Sequence, residues 1–101
     1  MDEIEKLLGC SGFEWDQGNV EKNWLKHKVS PTECEQVFFN QPLLILGDPE
    51  HSISEKRFAA FGCTDAGRLL VVIFTKRRKL LRVISARKMN RRERKFYEEN
   101  Q

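Results

Sequence analysis

The sequence has few cysteines, and they lie far apart. Its three, Cys10, Cys34 and Cys63, form no Cys-x-x-Cys pair, and no nearby histidines complete a zinc-binding pattern. A reducing compartment is the simplest interpretation. Because no cysteine shares a local pattern with a histidine, we expect three small semi-buried apolar side chains rather than a catalytic thiol.

Long apolar runs are also missing. No stretch is long enough to cross a bilayer, and the first residues, MDEIEKLLGC, lack the basic and then apolar segments of a secretory signal. We therefore expect a soluble, cytoplasmic protein without membrane contact. A chain of 101 residues predicts a single domain, 1–101, with one modest core and no room for a cofactor-binding module.

Acidic residues are scarce in the C-terminal part of the chain. Residues 66–101 hold 12 Lys and Arg against 3 Asp and Glu, a net charge of +9, whereas residues 1–65 hold 6 against 12, a net charge of −6. Such asymmetry suggests that the C-terminal part faces a polyanion. A solvated helix face would carry the same charges, so charge alone leaves both interpretations open.

Three helices are predicted from capping residues and apolar spacing. Asp16 or Asn19 is placed to cap the first, VEKNWLKHK, whose narrow apolar face would hold Val20 and Trp24. The sequence SPTE beginning at Ser30 has the N-cap, proline and acid typical of the start of a second helix, PTECEQVFF. A third, RRERKFYEEN, would follow an asparagine cap and has little apolar surface.

Strand signals lie mainly between these helices. FEWD and LLIL are short candidates, and EKRFAAFGC and LLRVISAR alternate in polarity, with Leu81, Val83 and Ser85 predicted on one face of the latter. Leu69 to Phe74 is an apolar run typical of a central strand covered on both faces. The short turns predict an antiparallel meander, and hence an α+β fold with a sheet of about three to four strands.

Arginines that interrupt apolar strands are the main candidates for chemistry. Unless an acid pairs with it, such an arginine projects from the sheet as a fixed cation. The strand arginines are Arg57, Arg82 and Arg87, and the side chains expected near the same sheet ends are His51, Glu55, Lys76 and Arg77. Together they would hold a phosphodiester, offset transition-state charge and shuttle protons without a metal ion. The alternative is that the arginines pair with Glu55 or Glu93.

Several phrases occur in an order that carries a family resemblance. FEWD, KNWLKHKVS, EKRFAAFG, LLVVIFTKR, RVISAR and ERKFYEE together resemble the BrnT family, toxins of bacterial type II toxin–antitoxin modules. The resemblance covers about residues 13–99 and leaves 1–12 as an N-terminal extension. It implies a RelE-like fold, a metal-independent endoribonuclease that arrests translation, and no cofactor. It also implies a BrnA-like antitoxin that neutralises the toxin and binds operon DNA, so that the toxin meets DNA only indirectly.

The resemblance extends to individual positions. The matching residues are Asp16, Asn23, Lys26, His27, His51, Glu55, Arg57, Thr75, Arg77, Arg82, Ser85, Arg87, Glu93 and Tyr97. One position departs from the pattern: many members carry a lysine three residues after the FEWD aspartate, where this chain has Asn19. Either Lys22, one helical turn further on, supplies that cation or the site is weaker.

These matches define a predicted site for RNA cleavage. The predicted catalytic residues are Glu55, Arg57, Arg77, Arg82 and His51, and the predicted substrate-binding residues are Lys22, Lys26, Arg87 and Tyr97. The arginines would bind phosphate, and either Glu55 or His51 would take the proton of the attacking 2′-hydroxyl. Tyr97 would stack on a base or anchor the last helix. A non-catalytic module that binds RNA or a protein partner is the alternative function.

Overall fold

The computed structural model describes residues 9–48 and 55–100, and all statements about structure concern these residues. The helices and strands follow one another along the chain in the order β1 (Gly12–Glu14), α1 (Gln17–His27), α2 (Pro31–Phe39), β2 (Leu44–Asp48), β3 (Arg57–Cys63), β4 (Leu69–Arg77), β5 (Leu80–Lys88) and α3 (Arg91–Glu99). None of these helices combines the length and the apolar character that a membrane crossing requires.

The strands form one mixed sheet in the order β1-β5-β4-β3-β2. Strands β2 to β5 are antiparallel neighbours, whereas β1 runs parallel to β5 and pairs Gly12 to Glu14 with Leu80 to Arg82. The α+β class is confirmed, but the prediction of three to four antiparallel strands is wrong. The parallel pairing joins segments more than 60 residues apart. It could not be predicted because local sequence patterns indicate only strand pairs that are joined by a short turn.

The central position of β4 follows from its apolar run. Leu70, Val72 and Phe74 belong to the core cluster on one face of the sheet, whereas Leu69 and Val71 belong to the cluster on the other. Alternate side chains of a strand point to opposite faces, so a strand that is apolar at every position must be covered twice. The prediction of a doubly covered strand is confirmed.

Helix α2 covers the first of these faces, which we call the α2 face. It begins with a complete capping box between Ser30 and Glu33, as predicted, and buries Cys34, Val37 and Phe38. The Phe38 ring packs edge-on against a ring of β4, with 5.1 Å between the centroids. Burial raises the pKa of the Cys34 thiol to about 12, so this cysteine is an apolar core residue rather than a nucleophile.

Helix α1 packs differently from the prediction. The predicted apolar face of Val20 and Trp24 is wrong, because Trp24 is 49% exposed and the buried residue of the helix is Asn23. Strand β1 pairs only with the first three residues of β5, and α1 covers the strand beyond them. A polar side chain is needed there because the backbone groups of β5 still require hydrogen-bond partners.

Two amides of α1 supply those partners. The Asn19 side chain donates to the Val83 carbonyl at 3.5 Å, and the Asn23 Oδ1 atom accepts from the Ala86 amide at 3.3 Å. The β5 ladder is irregular in this region, because Val83 lies opposite Phe74 and the next paired residue is two positions further on, with Ile84 left between. Ala86, and not Ser85 as predicted, therefore follows Val83 into the core cluster.

Helix α3 covers part of the opposite face, which we call the α3 face. Met89 and Tyr97 pack there with Phe61 and Val71. The hydroxyl of Tyr97 donates to the Pro42 carbonyl at 2.5 Å. An asparagine cap starts the helix, as predicted.

Gly62 on β3 allows α2 to lie close to the sheet. A Cβ atom at this position would lie 2.9 Å from Val37 Cγ1 and 3.2 Å from the Val37 carbonyl oxygen. We expect Gly62→Ala to lower the free energy of unfolding, measured with urea, by about 1–3 kcal/mol through overpacking. Gly47→Ala on β2 is the matched control, because its Cβ would meet nothing within 4 Å. Equal stability of the two variants would contradict this close packing.

Candidate functional site

Directly opposed residues on neighbouring strands form rows across the α3 face, and one of these rows, beyond the part that α3 covers, is polar. In the rows nearest the helix the central strands are apolar, with Phe61 opposite Val71 and Ala59 opposite Ile73. The next row is formed by cross-strand neighbours on four strands, namely Glu14, Arg82, Thr75 and Arg57. Directly opposed residues point to the same face with their Cβ atoms about 5 Å apart, so the row brings these side chains together.

Arg82 lies between two carboxylates in this row. Its Nη1 atom is 3.1 Å from Glu14 Oε1, and its Nη2 atom is 3.2 Å from Asp16 Oδ2. The other oxygen of Asp16 accepts from the backbone amide of Asn19 at 3.0 Å and so caps α1. One carboxylate therefore starts the helix and positions the guanidinium.

Glu55 lies just before β3 and receives two hydrogen bonds from Arg77. The Arg77 Nε and Nη2 atoms lie 3.1 and 3.3 Å from the two carboxylate oxygens. These hydrogen bonds, followed by the positive charges of Arg77, Arg82 and Arg57, hold the pKa of Glu55 below its ordinary value of 4.5. Glu55 is therefore ionised at neutral pH and accepts rather than donates a proton.

The charged groups described above, together with Arg57, influence one another's ionisation. The pKa of Arg77 is raised first by its hydrogen bond with Glu55, and also by the charges of Glu14 and Asp16 on the far side of the row. We call this set the arginine–carboxylate site. Its members are Glu14, Asp16, Glu55, Arg57, Arg77 and Arg82. This set of described side chains contains three guanidinium groups and three carboxylates.

A cavity of about 390 Å³ adjoins this site. Its lining includes Glu55, Lys56, Thr75 and Lys76. The Thr75 side chain is buried, and its hydroxyl donates to the Lys56 carbonyl at 2.7 Å, which fixes the backbone beside Glu55. Within the described residues, no three His, Cys, Asp or Glu side chains are grouped so that they could hold a metal ion. The described side chains that place positive charge here are lysines and arginines.

The structure places Lys26 and Arg87 elsewhere. Both line a cavity of about 380 Å³ at the end of β5 remote from Arg82. Arg87 forms two hydrogen bonds, of 2.7 and 2.8 Å, with the carboxylate of Glu93 at the start of α3. For Arg77 and Arg87, the pairing with Glu55 and Glu93 that the sequence left open is therefore present.

The other predicted site residues are Lys22, His51 and Tyr97, and none of them is a member of the arginine–carboxylate site as defined above. Lys22 lies half-buried on α1, and His51 lies outside the described residues. Tyr97 is 2% exposed, which leaves no ring face open to a nucleotide base. Burial, together with the neighbouring Cys63, raises the pKa of Tyr97 to about 12. In this structure Tyr97 anchors α3, which was one of its two predicted roles.

Sequence reasoning missed Glu14 as a partner of Arg82. Successive side chains of a strand point to opposite faces, so Glu14 and Phe13 lie on opposite faces of the sheet. The partner of Glu14 could not be identified, because the parallel register of β1 with β5 has no local signal. Asn19 stands at the position where lysine is frequent in the family that the sequence resembles. Its side chain donates to the backbone of β5, whereas its backbone amide donates to Asp16 of the arginine–carboxylate site.

Comparisons with known proteins found a matching family model and a solved structure of similar fold. Residues 15–93 match the model of a family described as the ribonuclease toxin BrnT of type II toxin–antitoxin systems. The fold is similar to that of the Brucella abortus ribonuclease toxin BrnT, with a TM-score of 0.62 and 20% sequence identity over 79% of this chain and 97% of that chain. A comparison with curated proteins found no match.

The role of Arg77 in the site is testable through the ionisation of Glu55. We expect Arg77→Gln to raise the pKa of the Glu55 carboxyl, because the variant removes both the charge and most of the hydrogen bonding that lower it. A carbon-13 NMR titration of the carboxyl group measures this change. Lys95→Gln, which removes an exposed cation on α3, should leave the Glu55 pKa unchanged. An unaltered pKa in Arg77→Gln would disprove the pairing.

Proposed function

The chain belongs to the BrnT family of ribonuclease toxins of type II toxin–antitoxin systems, and on this basis we propose that the arginine–carboxylate site is the catalytic centre of a metal-independent endoribonuclease. Membership implies an RNA target and an antitoxin partner. The observation that carries the assignment of the site is the Glu55 carboxylate, which accepts two hydrogen bonds from Arg77 and lies near the positive charges of Arg57 and Arg82.

The proposed reaction begins with the ribose 2′-hydroxyl. Glu55 takes its proton, the 2′-oxygen attacks the adjacent phosphorus, and the bond from phosphorus to the 5′-oxygen breaks. The products are a 2′,3′-cyclic phosphate and, after the leaving oxygen is protonated, a 5′-hydroxyl. His51, the other predicted base, lies outside the described residues and has no part in this assignment.

The guanidinium groups supply the charge stabilisation that a metal ion provides in other nucleases. Arg57 and Arg82 occupy the same cross-strand row, where planar donors suit the oxygens of a phosphodiester. They would offset the negative charge that develops on the pentavalent phosphorus. A phosphate that accepts hydrogen bonds from Arg77 would weaken the hydrogen bonds between Arg77 and Glu55. The pKa of the Glu55 carboxyl would then rise, and the carboxylate would become a stronger base.

Further features follow from the family and form part of the proposal. The chain would be RelE-like in its chemistry, act in the cytoplasm and inhibit translation by destroying RNA. A BrnA-like antitoxin would neutralise it and bring the complex to operon DNA through the antitoxin's own DNA-binding domain. The toxin itself would then contact DNA only indirectly.

A second candidate function is a binding module without catalysis. It is favoured by the internal neutralisation of the site, where Glu55 already engages Arg77, and Glu14 and Asp16 engage Arg82. Arginines held in this way are also found in sheets where they only stabilise the fold. The two functions differ in whether RNA is cleaved.

Cleavage of labelled RNA in the presence of EDTA separates the two functions. We expect the wild-type chain to produce fragments ending in a 2′,3′-cyclic phosphate. Glu55→Gln should lower kcat about 10²- to 10⁴-fold because it removes the base while keeping the shape of the side chain. Arg57→Ala should lower kcat about 10²- to 10³-fold because it removes charge stabilisation.

The control for both variants is Lys95→Gln, which should cleave RNA at the wild-type rate. Binding of RNA without cleavage by the wild-type chain would favour the binding module. Full activity in both Glu55→Gln and Arg57→Ala would show that the catalytic centre lies elsewhere.

A further inference from the structure

A cationic surface lies at the end of β5 remote from Arg82. Two cavities of about 380 and 410 Å³ adjoin there and share Arg68 and Lys88 in their linings. We call this surface the basic groove. Its Lys and Arg side chains are Lys26, Lys28, Arg68, Arg87, Lys88 and Arg94.

The carboxylates near the basic groove do not neutralise it. Glu33 binds Arg68 at 2.6 Å, Glu93 binds Arg87 at 2.7 Å, and Glu98 lines one cavity. Six cations and these three acids give the groove, together with its ion-pair partners, a net charge of +3. The two ion pairs also fix both guanidinium groups in place, because each carboxylate belongs to a helix capping box.

The other four cations of the groove differ from Arg68 and Arg87 in their lack of a carboxylate partner in the described part of the chain. Among the ion pairs of the described residues, none involves Lys26, Lys28, Lys88 or Arg94. Lysines and arginines that project from the ends of α1, β5 and α3 into one groove match the repeated charges of a nucleic acid backbone. The charge of this groove therefore favours a polyanion.

An exposed aromatic side chain borders the groove. The Trp24 ring is 49% exposed, and the Lys28 Nζ atom lies 5.2 Å from its centroid. Single-stranded nucleic acids bind to grooves that combine cations for the phosphates with an aromatic ring for a base. The indole therefore favours a single-stranded RNA over an acidic peptide.

Strand β5 connects the groove to the arginine–carboxylate site. It contributes Arg82 to the site and Lys88 to the groove, and six residues of strand separate them by about 20 Å. We propose that the basic groove binds the single-stranded RNA segment flanking the phosphodiester that is cleaved at the arginine–carboxylate site. This inference rests on the proposed function and adds a second contact region for the same substrate.

We infer that contacts so far from the reacting atoms are made equally in the ground state and in the transition state. Such uniform binding lowers KM and leaves kcat unchanged. The basic groove should therefore determine how tightly long RNAs bind, and it should have no influence on a dinucleotide, which cannot reach it.

Fluorescence anisotropy with an uncleavable 2′-O-methyl RNA tests the groove independently of cleavage. In Lys26→Ala/Lys88→Ala we expect affinity about tenfold weaker, and a salt dependence of log K less steep by about 1.4, or about 0.7 for each lost phosphate contact. Arg92→Ala/Lys95→Ala removes two exposed charges from α3 outside the groove lining and is the matched control. Equal binding by the two double variants would overturn the inference.

Trp24→Ala provides a second test that changes no charge. We expect weaker binding of the same RNA with an unchanged salt dependence, because a stacking contact is lost and every phosphate contact is kept. Wild-type affinity in this variant would remove the aromatic support for a single-stranded ligand and overturn the inference. A purified antitoxin that binds Lys26→Ala/Lys88→Ala more weakly, when RNA binding is unchanged, would also overturn it.

Cleavage assays separate a failure of this inference from a failure of the proposed function. The double variant should show a raised KM and an unchanged kcat on long RNA, and wild-type rates on a dinucleotide. A chain that cleaves no RNA at all would refute the proposed function, and anisotropy would still decide whether the groove binds RNA. A lowered kcat on the dinucleotide would show that the groove residues act in the chemistry and would overturn the inference.

Discussion

The guanidinium of Arg82 is the contact on which the architecture of the site depends. It binds Glu14 of β1 and Asp16 at the start of α1, and the same aspartate caps the helix. A planar group with several fixed donors can satisfy two carboxylates at once, which a lysine ammonium does less well. One side chain therefore joins a parallel strand, a helix start and the neighbouring strand of the sheet, and its own position becomes fixed at the edge of the candidate catalytic centre.

The helices leave only part of the sheet uncovered, and the candidate site lies in that part. Helices α1 and α2 and the core cluster occupy one face, and α3 occupies the part of the other face around Phe61 and Val71. The polar row that includes Arg57 and Arg82 lies beyond α3. A short last helix with one buried tyrosine is sufficient for this purpose, because it needs to cover only two rows of the sheet.

The arginine–carboxylate site and the basic groove differ in how far their cations are paired with acids. In the arginine–carboxylate site, Arg77 and Arg82 are paired with carboxylates. In the proposed reaction a phosphate would compete with these partners and change the basicity of Glu55. In the basic groove, acids hold Arg68 and Arg87 in position while lysines remain without an ion pair in the described structure. A site whose arginines are paired with carboxylates suits chemistry that requires a deprotonated carboxylate. A groove with an excess of cations suits tight binding of a polyanion.

Local signals in the sequence determined the second helix from Ser30, the central strand, the charge asymmetry and the arginines of the predicted site, because capping, periodicity and composition act over a few residues. Only the tertiary structure decided that β1 lies parallel to β5, that Asn23 is buried, and that Arg82 and Arg87 lie in separate regions. The partners in these cases are distant in sequence: Glu14 and Arg82 are 68 residues apart, and Asn23 and Ala86 are 63 apart. Such pairs form because the complete fold brings together backbone groups that lack a hydrogen-bond partner and charges that lack a counter-charge. No local sequence pattern contains that information.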